Sequence, residues 1–365
     1  MRRLALSCAL ALVTTILLFT GCAKDEPSTA VSSDPAGGAS AASRSGLIAF
    51  SRGGAGEQYV LDLATDESKP AGDLKGGATW LPDGRGLIGQ AQIRATDAFR
   101  IWSAADGTVE TLHFEGVPDD LWGAPLLAPD GPQAVVGDYH SLWLLDLQTR
   151  TGKRLTNIDV PESDLKNLPR DDWPGAWSPD GTRIAFLRSG SRALDREDDT
   201  LYILDIATGE EREHSRWLRG GVSIEGWSPD GKHVIVQLAG SDEMPEPRAH
   251  LFDVATEEFV EYSPGPAGGD RIRFSPSGDR LVYRSNQSGK YRFYIAKDLS
   301  EVGEMVDGCG GDDHSAAWSP DGNSLVIIGM VDRQIDLWLQ PAKPGKPSER
   351  LTNDTEAERS PEWAP

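Results

Sequence analysis

Three acidic pairs stand beside aromatic residues in this chain: Asp119-Asp120-Leu121-Trp122, Asp171-Asp172-Trp173 and Asp312-Asp313-His314. Carboxylates gathered at one mouth focus negative potential and attract a cation, a basic peptide or a polycation. Trp122 and Trp173 can stack on a sugar or clamp a basic side chain, and an Asp or a His can act as general acid or base. Asp270, the stretch from Glu356 to Arg359 and the segments around Asp195 to Asp199 and Asp242 to Glu246 extend the acidic set. A single charged pair in a loop is more often a solvated surface than a site. Three at equivalent positions shift the balance toward binding.

Other chemistry is thinly represented. Asp195, Glu197 and Asp199 alternate as in a calcium loop, but Thr200 stands where such a loop needs Gly and no Glu closes it, so the signal for a bound calcium ion is weak and no other cofactor is expected. The six histidines lack metal-ligand spacing, and no nucleophile elbow, phosphate loop or dinucleotide fingerprint occurs.

The elements that must position these residues form a repeat. Trp-Ser-Pro-Asp-Gly is intact at Trp177 to Gly181, Trp227 to Gly231 and Trp318 to Gly322. It is degraded at Trp80-Leu81-Pro82-Asp83-Gly84, Leu127-Ala128-Pro129-Asp130-Gly131 and Phe274-Ser275-Pro276-Ser277-Gly278, and Trp363-Ala364-Pro365 is a last fragment. The copies recur every 44 to 50 residues, a period that suits a four-stranded propeller blade. Pro presets the first turn angle and Gly accepts positive φ, so each copy reads as a strand end plus a tight turn. A strand such as Ile184-Ala185-Phe186 follows, then a second such as Leu201-Tyr202-Ile203-Leu204, then an outer strand such as Arg154-Leu155-Thr156 or Arg350-Leu351-Thr352. The first unit, at Leu47-Ile48-Ala49-Phe50, lacks its leading strand, and Glu362-Trp363 is expected to supply it. The predicted fold is all-β, a seven-bladed β-propeller closed by pairing of the C-terminal strand with the N-terminal blade. Alternation of strand direction then puts the acidic pairs and the long loops on one face and the Ser-Pro-Asp-Gly turns on the other. The repeat tryptophans Trp80, Trp177, Trp227, Trp318 and Trp363 are expected to pack between blades.

This recurring turn, with its Ile-Ala-Phe-like strand and Leu-Thr outer strand, resembles the TolB-type propeller repeat over nearly all of residues 46–365. TolB itself has six blades and an additional N-terminal domain, whereas seven units are counted here. WD repeats fit less well, because the chain has no Trp-Asp and no Gly-His dipeptide. The resemblance implies a propeller fold and a periplasmic habit, without implying one activity. No α/β-hydrolase domain, such as follows related propellers in prolyl oligopeptidases, is expected within the chain.

Met1-Arg2-Arg3 followed by the apolar run from Leu4 to Phe19 reads as a secretory signal, too short to span a bilayer comfortably. Thr20-Gly21-Cys22 resembles the lipobox of bacterial lipoproteins, with Phe19 where Leu is usual, and the resemblance implies diacylation of Cys22. The expected organisation is a signal peptide at 1–21, a lipidated Cys and flexible linker at 22–45, rich in Ser, Ala, Gly and Pro, and a propeller at 46–365. Ala23 after the lipidated Cys carries no retention signal of the Asp type, so the outer membrane is expected where there are two. Cys309 sits among Gly308, Gly310 and Gly311 and reads as a loop or half-buried thiol without a role.

The net charge of −21 becomes −23 once Arg2 and Arg3 leave with residues 1–21. Such a polyanion repels nucleic acid and anionic lipid, so a membrane is reached through the lipid anchor only. The sequence thus reads as a membrane-anchored envelope lipoprotein whose propeller is a non-enzymatic module for an envelope protein or cell-wall component of cationic character. The competing readings are a polysaccharide- or peptide-acting lyase or hydrolase at the channel mouth, and a glycan-binding protein. The residues expected to carry binding are Asp119, Asp120, Trp122, Asp171, Asp172, Trp173, Asp312, Asp313 and His314.

Overall fold

The computed structural model describes residues 45–91, 99–119, 121–129, 131–138, 140–156, 171–189, 198–219, 222–238, 248–265 and 268–365. Among these every regular element is a strand. The second strand of each unit is its most apolar, as in Gly86–Gln90, Arg183–Ser189 and Leu281–Ser285, and is buried along nearly its whole length. It has a strand on either side and a neighbouring blade on both faces, so it reads as a continuous hydrophobic run. Several outermost strands, such as Val109–Thr111 and Glu304–Met305, are short and exposed, which blunts an otherwise sticky edge.

The turn chemistry accounts for the repeat. In Ser178-Pro179-Asp180-Gly181 the Ser178 hydroxyl donates to Asp180 Oδ1 at 2.6 Å and accepts from the Arg183 amide at 2.9 Å. Gly181 takes φ 66° and donates to the Ser178 carbonyl. Ser228-Asp230 and Ser319-Asp321 repeat the hydroxyl-to-carboxylate bond at 2.6 Å. Hydrogen bonds from Ser178 and Thr182 hold the Asp180 carboxyl down to about 2.

The blades are joined by the repeat tryptophans. Trp177, Trp227 and Trp318 donate Nε1–H to the carbonyls of Leu126, Ala176 and Arg273 on the preceding inner strand, at 2.9, 3.1 and 3.0 Å. Arg183 lies over the Trp227 ring and Arg280 over the Trp318 ring, at 4.9 and 5.3 Å from the centroids.

The innermost strands are Glu67–Trp80, Trp122–Leu127, Asp172–Trp177, Val222–Trp227, Asp270–Phe274, Asp312–Trp318 and Glu358–Trp363. Each touches the next, and Glu358–Trp363 touches both Asp312–Trp318 and Glu67–Trp80, so the described residues form a cycle of seven inner strands. Glu358–Trp363 pairs antiparallel with Leu47–Arg52, from Ile48↔Trp363 to Arg52↔Glu358. Glu67–Trp80 is shared: its first half ends the first blade on Glu57–Asp62, and its second half begins the next blade on Gly86–Gln90. The five remaining units are separate four-stranded sheets.

Glu362 ties the closing strand to the next blade. Its Oε1 accepts from the Thr79 hydroxyl at 2.9 Å, and burial pushes its carboxyl up to about 7. A carboxyl whose folded value exceeds its unfolded one favours folding when protonated, so this contribution is full below about 4.5 and lost as pH rises through 7. The melting temperature is therefore expected to fall between pH 5 and pH 8, more steeply in the wild type than in Glu362→Gln. Parallel curves for the two proteins would show that Glu362 is not the titrating group.

Candidate functional site

The heads of the inner strands carry a recurring device. Asp172, wholly buried, pairs in register with Arg188 on the second strand, Nε to Oδ1 at 2.7 Å and Nη2 to Oδ2 at 2.8 Å. The Arg188 guanidinium also meets Glu211 at 2.8 Å and lies 4.5 Å from the Tyr202 ring centroid. Thr156, two residues past the outer strand Thr151–Arg154 of the preceding blade, donates its hydroxyl to Asp172 Oδ2 at 2.7 Å and accepts from the Leu142 amide. Asp270 repeats the bidentate pair with Arg284, at 2.8 and 2.5 Å, with Arg284 4.3 Å over Tyr291. In the closing strand Glu358 pairs with Arg52 at 2.9 Å and accepts from the Thr352 hydroxyl and the Leu337 amide, while Arg52 lies over Tyr59. Carboxylate, arginine and aromatic ring thus latch strand to strand within a blade, and the threonine latches one blade to the next.

The expected site residues separate accordingly. Asp172 and Asp313 are corrected from loop carboxylates to wholly buried strand residues, and Asp270 and Glu358, from the wider acidic set, are buried likewise. Asp313 Oδ1 accepts from the Cys309 amide at 3.0 Å, with Arg292 3.8 Å from Oδ2, and burial raises its carboxyl. Its neighbour Asp312 is partly exposed and accepts from the Tyr291 amide at 3.1 Å. Asp171 lies 3.8 Å from the His140 ring, and Asp119 is exposed. Asp120, Cys22, the run from Asp195 to Glu197 and Asp242 to Glu246 lie outside the described residues. Asp199 is in the strand Asp198–Asp205.

Trp122 and Trp173 do meet, edge to face, with centroids 4.6 Å apart and planes at 75°, and Trp173 keeps 43% of its surface exposed. One residue beyond the latch position, the inner strands carry Gly123, Trp173, Ser223, Arg271, His314 and Arg359, all at least partly exposed. Burial lowers the His314 imidazole below its ordinary value, with the Arg284 cation adding to the effect. Arg271 was missed by the acidic reading of the sequence, as were Arg52, Arg188 and Arg284. The signal for the last three was present in the parallel endings of Ile48-Ala49-Phe50-Ser51-Arg52, Ile184-Ala185-Phe186-Leu187-Arg188 and Leu281-Val282-Tyr283-Arg284. Cys309 is buried, and burial followed by the Asp313 charge pushes its thiol up to about 12, which leaves it unreactive at neutral pH.

A family model for the TolB beta propeller domain matches residues 173–365. An uncharacterized protein of Agrobacterium fabrum, Atu1656, is 25% identical over 272 residues, covering 68% of this chain and 82% of that protein. Among solved structures, TolB from Acinetobacter baumannii is 17% identical with a TM-score of 0.50, over 88% of this chain and 83% of its own. Oligogalacturonate lyase from Vibrio parahaemolyticus is 12% identical with a TM-score of 0.58, over 84% of this chain and 86% of its own. At these identities the two structures bear on the fold alone.

Proposed function

Because the chain belongs to the TolB β-propeller family, we propose that it is a membrane-anchored envelope lipoprotein whose propeller is a non-enzymatic module, binding a protein or cell-wall component at its ring of inner strands. One observation carries this reading. Of the carboxylates on the inner strands, Asp172, Asp270 and Asp313 are buried in structural pairings, while the Trp122–Trp173 pair presents Trp173 to solvent beside the partly exposed Asp171. An exposed aromatic edge set on rigid strands suits capture of a ligand rather than proton transfer to one.

Capture from envelope extract, run beside a turnover screen on polysaccharides and peptides, tests the proposal. The expected result is a defined partner, no product release, and weaker capture by Trp173→Ala. Product release would overturn it.

The anchor rests on Thr20-Gly21-Cys22 at the end of an apolar run, followed by a polar leash. Several acyl chains on one residue hold a protein to a membrane where a single chain would be marginal. Cys22→Ala is expected to abolish fatty-acid incorporation and leave unprocessed precursor. Metabolic labelling reads both, and label persisting in the variant would refute the lipoprotein assignment.

A further inference from the structure

On the sixth blade the latches leave a cation over. Arg271, Arg273 and Arg284 gather on the sixth blade, where the nearby carboxylates are already engaged: Asp270 holds Arg284 in a bidentate pair, and Glu225 holds Arg273. Arg271 makes no ion pair among the described residues, and its Nε is buried without a hydrogen-bond partner. Burial and the Arg284 charge both act against its own charge. On the neighbouring inner strand, His314 Nε2 is likewise buried without a partner. His314 is within electrostatic reach of Arg271 and Arg284, and also of Asp312 and Asp313, which accept from the Tyr291 and Cys309 amides.

The backbone marks the same place. Arg271 adopts φ 51° within a register irregularity of its strand, in the left-handed region where three other inner strands use Gly77, Gly123 and Gly226 and the closing strand uses Ser360. A residue with a Cβ held in that conformation is strained, and such strain persists where the surroundings or a function demand the side chain.

We propose that Arg271, with His314 on the neighbouring inner strand, is a receptor for a carboxylate carried by the ligand of the inner-strand ring. The inference rests on the reading of that ring as a binding surface, and it reverses the charge expected of the ligand from the Asp-Asp pairs. A guanidinium with unused donors matches a planar carboxylate, and the His314 imidazole, as the tautomer protonated at Nε2, can donate a further hydrogen bond. The carboxylate can belong to a peptide C-terminus or to an acidic sugar.

Calorimetric titration of the detergent-solubilised full chain separates these sources, using a dipeptide with a free C-terminus against its amide, and digalacturonate against its methyl ester. At least one carboxylate probe is expected to bind, and its neutral counterpart to bind about tenfold or more weakly. Arg271→Gln should lose about the same factor, and His314→Gln less. Arg271→Gly, which suits the left-handed backbone, should melt no lower than wild type and still lose binding. No binding of either carboxylate at millimolar concentration, or unchanged binding by Arg271→Gly, overturns the receptor. Envelope capture is measured in parallel: capture retained by Arg271→Gly with no carboxylate binding sinks the receptor and leaves the binding-module reading standing. Capture lost in the wild type sinks that reading whatever the titration shows.

Discussion

Asp172→Ala is expected to lower the melting temperature by roughly 5–15 °C, because removing one partner of a buried ion pair costs about 3–5 kcal/mol. Both oxygens of Asp172 are engaged, by Arg188 Nε and Nη2 and by the Thr156 hydroxyl, and the side chain has no exposed surface. Its loss strands the Arg188 guanidinium, which is 14% exposed and keeps Glu211 and the Tyr202 and Phe186 faces. It also severs the Thr156 bond that joins the third blade to the fourth. Asp172→Asn preserves shape and should fall between wild type and alanine. A double variant, Asp172→Leu with Arg188→Met, should recover part of the loss, since an apolar pair no longer leaves a charge unpaired. Asp119→Ala, at an exposed position, should stay within about 0.5 kcal/mol of wild type. The decisive contrast is between folding and capture: an Asp172→Ala protein that melts normally yet fails to hold its partner would return Asp172 to the binding site.

Deleting residues 358–365 should be more damaging still. Trp363 is 9% exposed and packs in one cluster with Ile48 and Phe50 of the first blade and Val326, Ile328 and Leu337 of the seventh. Trp363→Ala alone is expected to cost about 3–5 kcal/mol. The deletion also removes the Glu358–Arg52 pair and the Glu362 bond to Thr79, and it strips Leu47–Arg52 of the partner on its inner side. An unpaired edge of that length invites pairing with a second chain. The shortened protein is therefore expected to melt well below the wild type and to self-associate in size-exclusion chromatography. A peptide of residues 358–365 added in trans should restore part of the stability by strand addition. A truncated monomer that melts like the full chain would show that these residues do not close the ring.

The blades were legible because their chemistry is local. Ser178, Pro179, Asp180 and Gly181 act on one another within a single turn, so the motif and its period carry the fold directly. The closing strand was legible for the same reason, since Trp363-Ala364-Pro365 is a fragment of a local pattern. The heads of the inner strands were not. Asp171 and Asp172 look alike in sequence, but alternation turns Asp172 toward an arginine on the adjacent strand and a threonine on another blade. Whether a carboxylate faces solvent or a latch depends on register across strands, which no short window reveals. Arg271 escaped notice for the complementary reason. Its significance lies in what its neighbours Asp270 and Glu225 already hold, and those pairings exist only once the strands have been brought together.

The pairing of Leu47–Arg52 with Glu358–Trp363 also bears on how the chain comes into being. Synthesis runs from the N-terminus, so Leu47–Arg52 is made among the first residues of the ring and its partner among the last. Throughout that interval the second strand of the first blade has nothing on its inner side, and its apolar row stands ready for any other extended segment. Contacts of such long sequence separation form slowly, because the entropy of closing a loop of some three hundred residues is lost before any bond is gained. Refolding from denaturant should therefore end in one late phase, slowed by substitutions in Glu358–Trp363 and indifferent to those in the Ser-Pro-Asp-Gly turns. During production of the chain, a factor that shields Leu47–Arg52 until the final strand arrives would raise the yield without appearing in the finished ring.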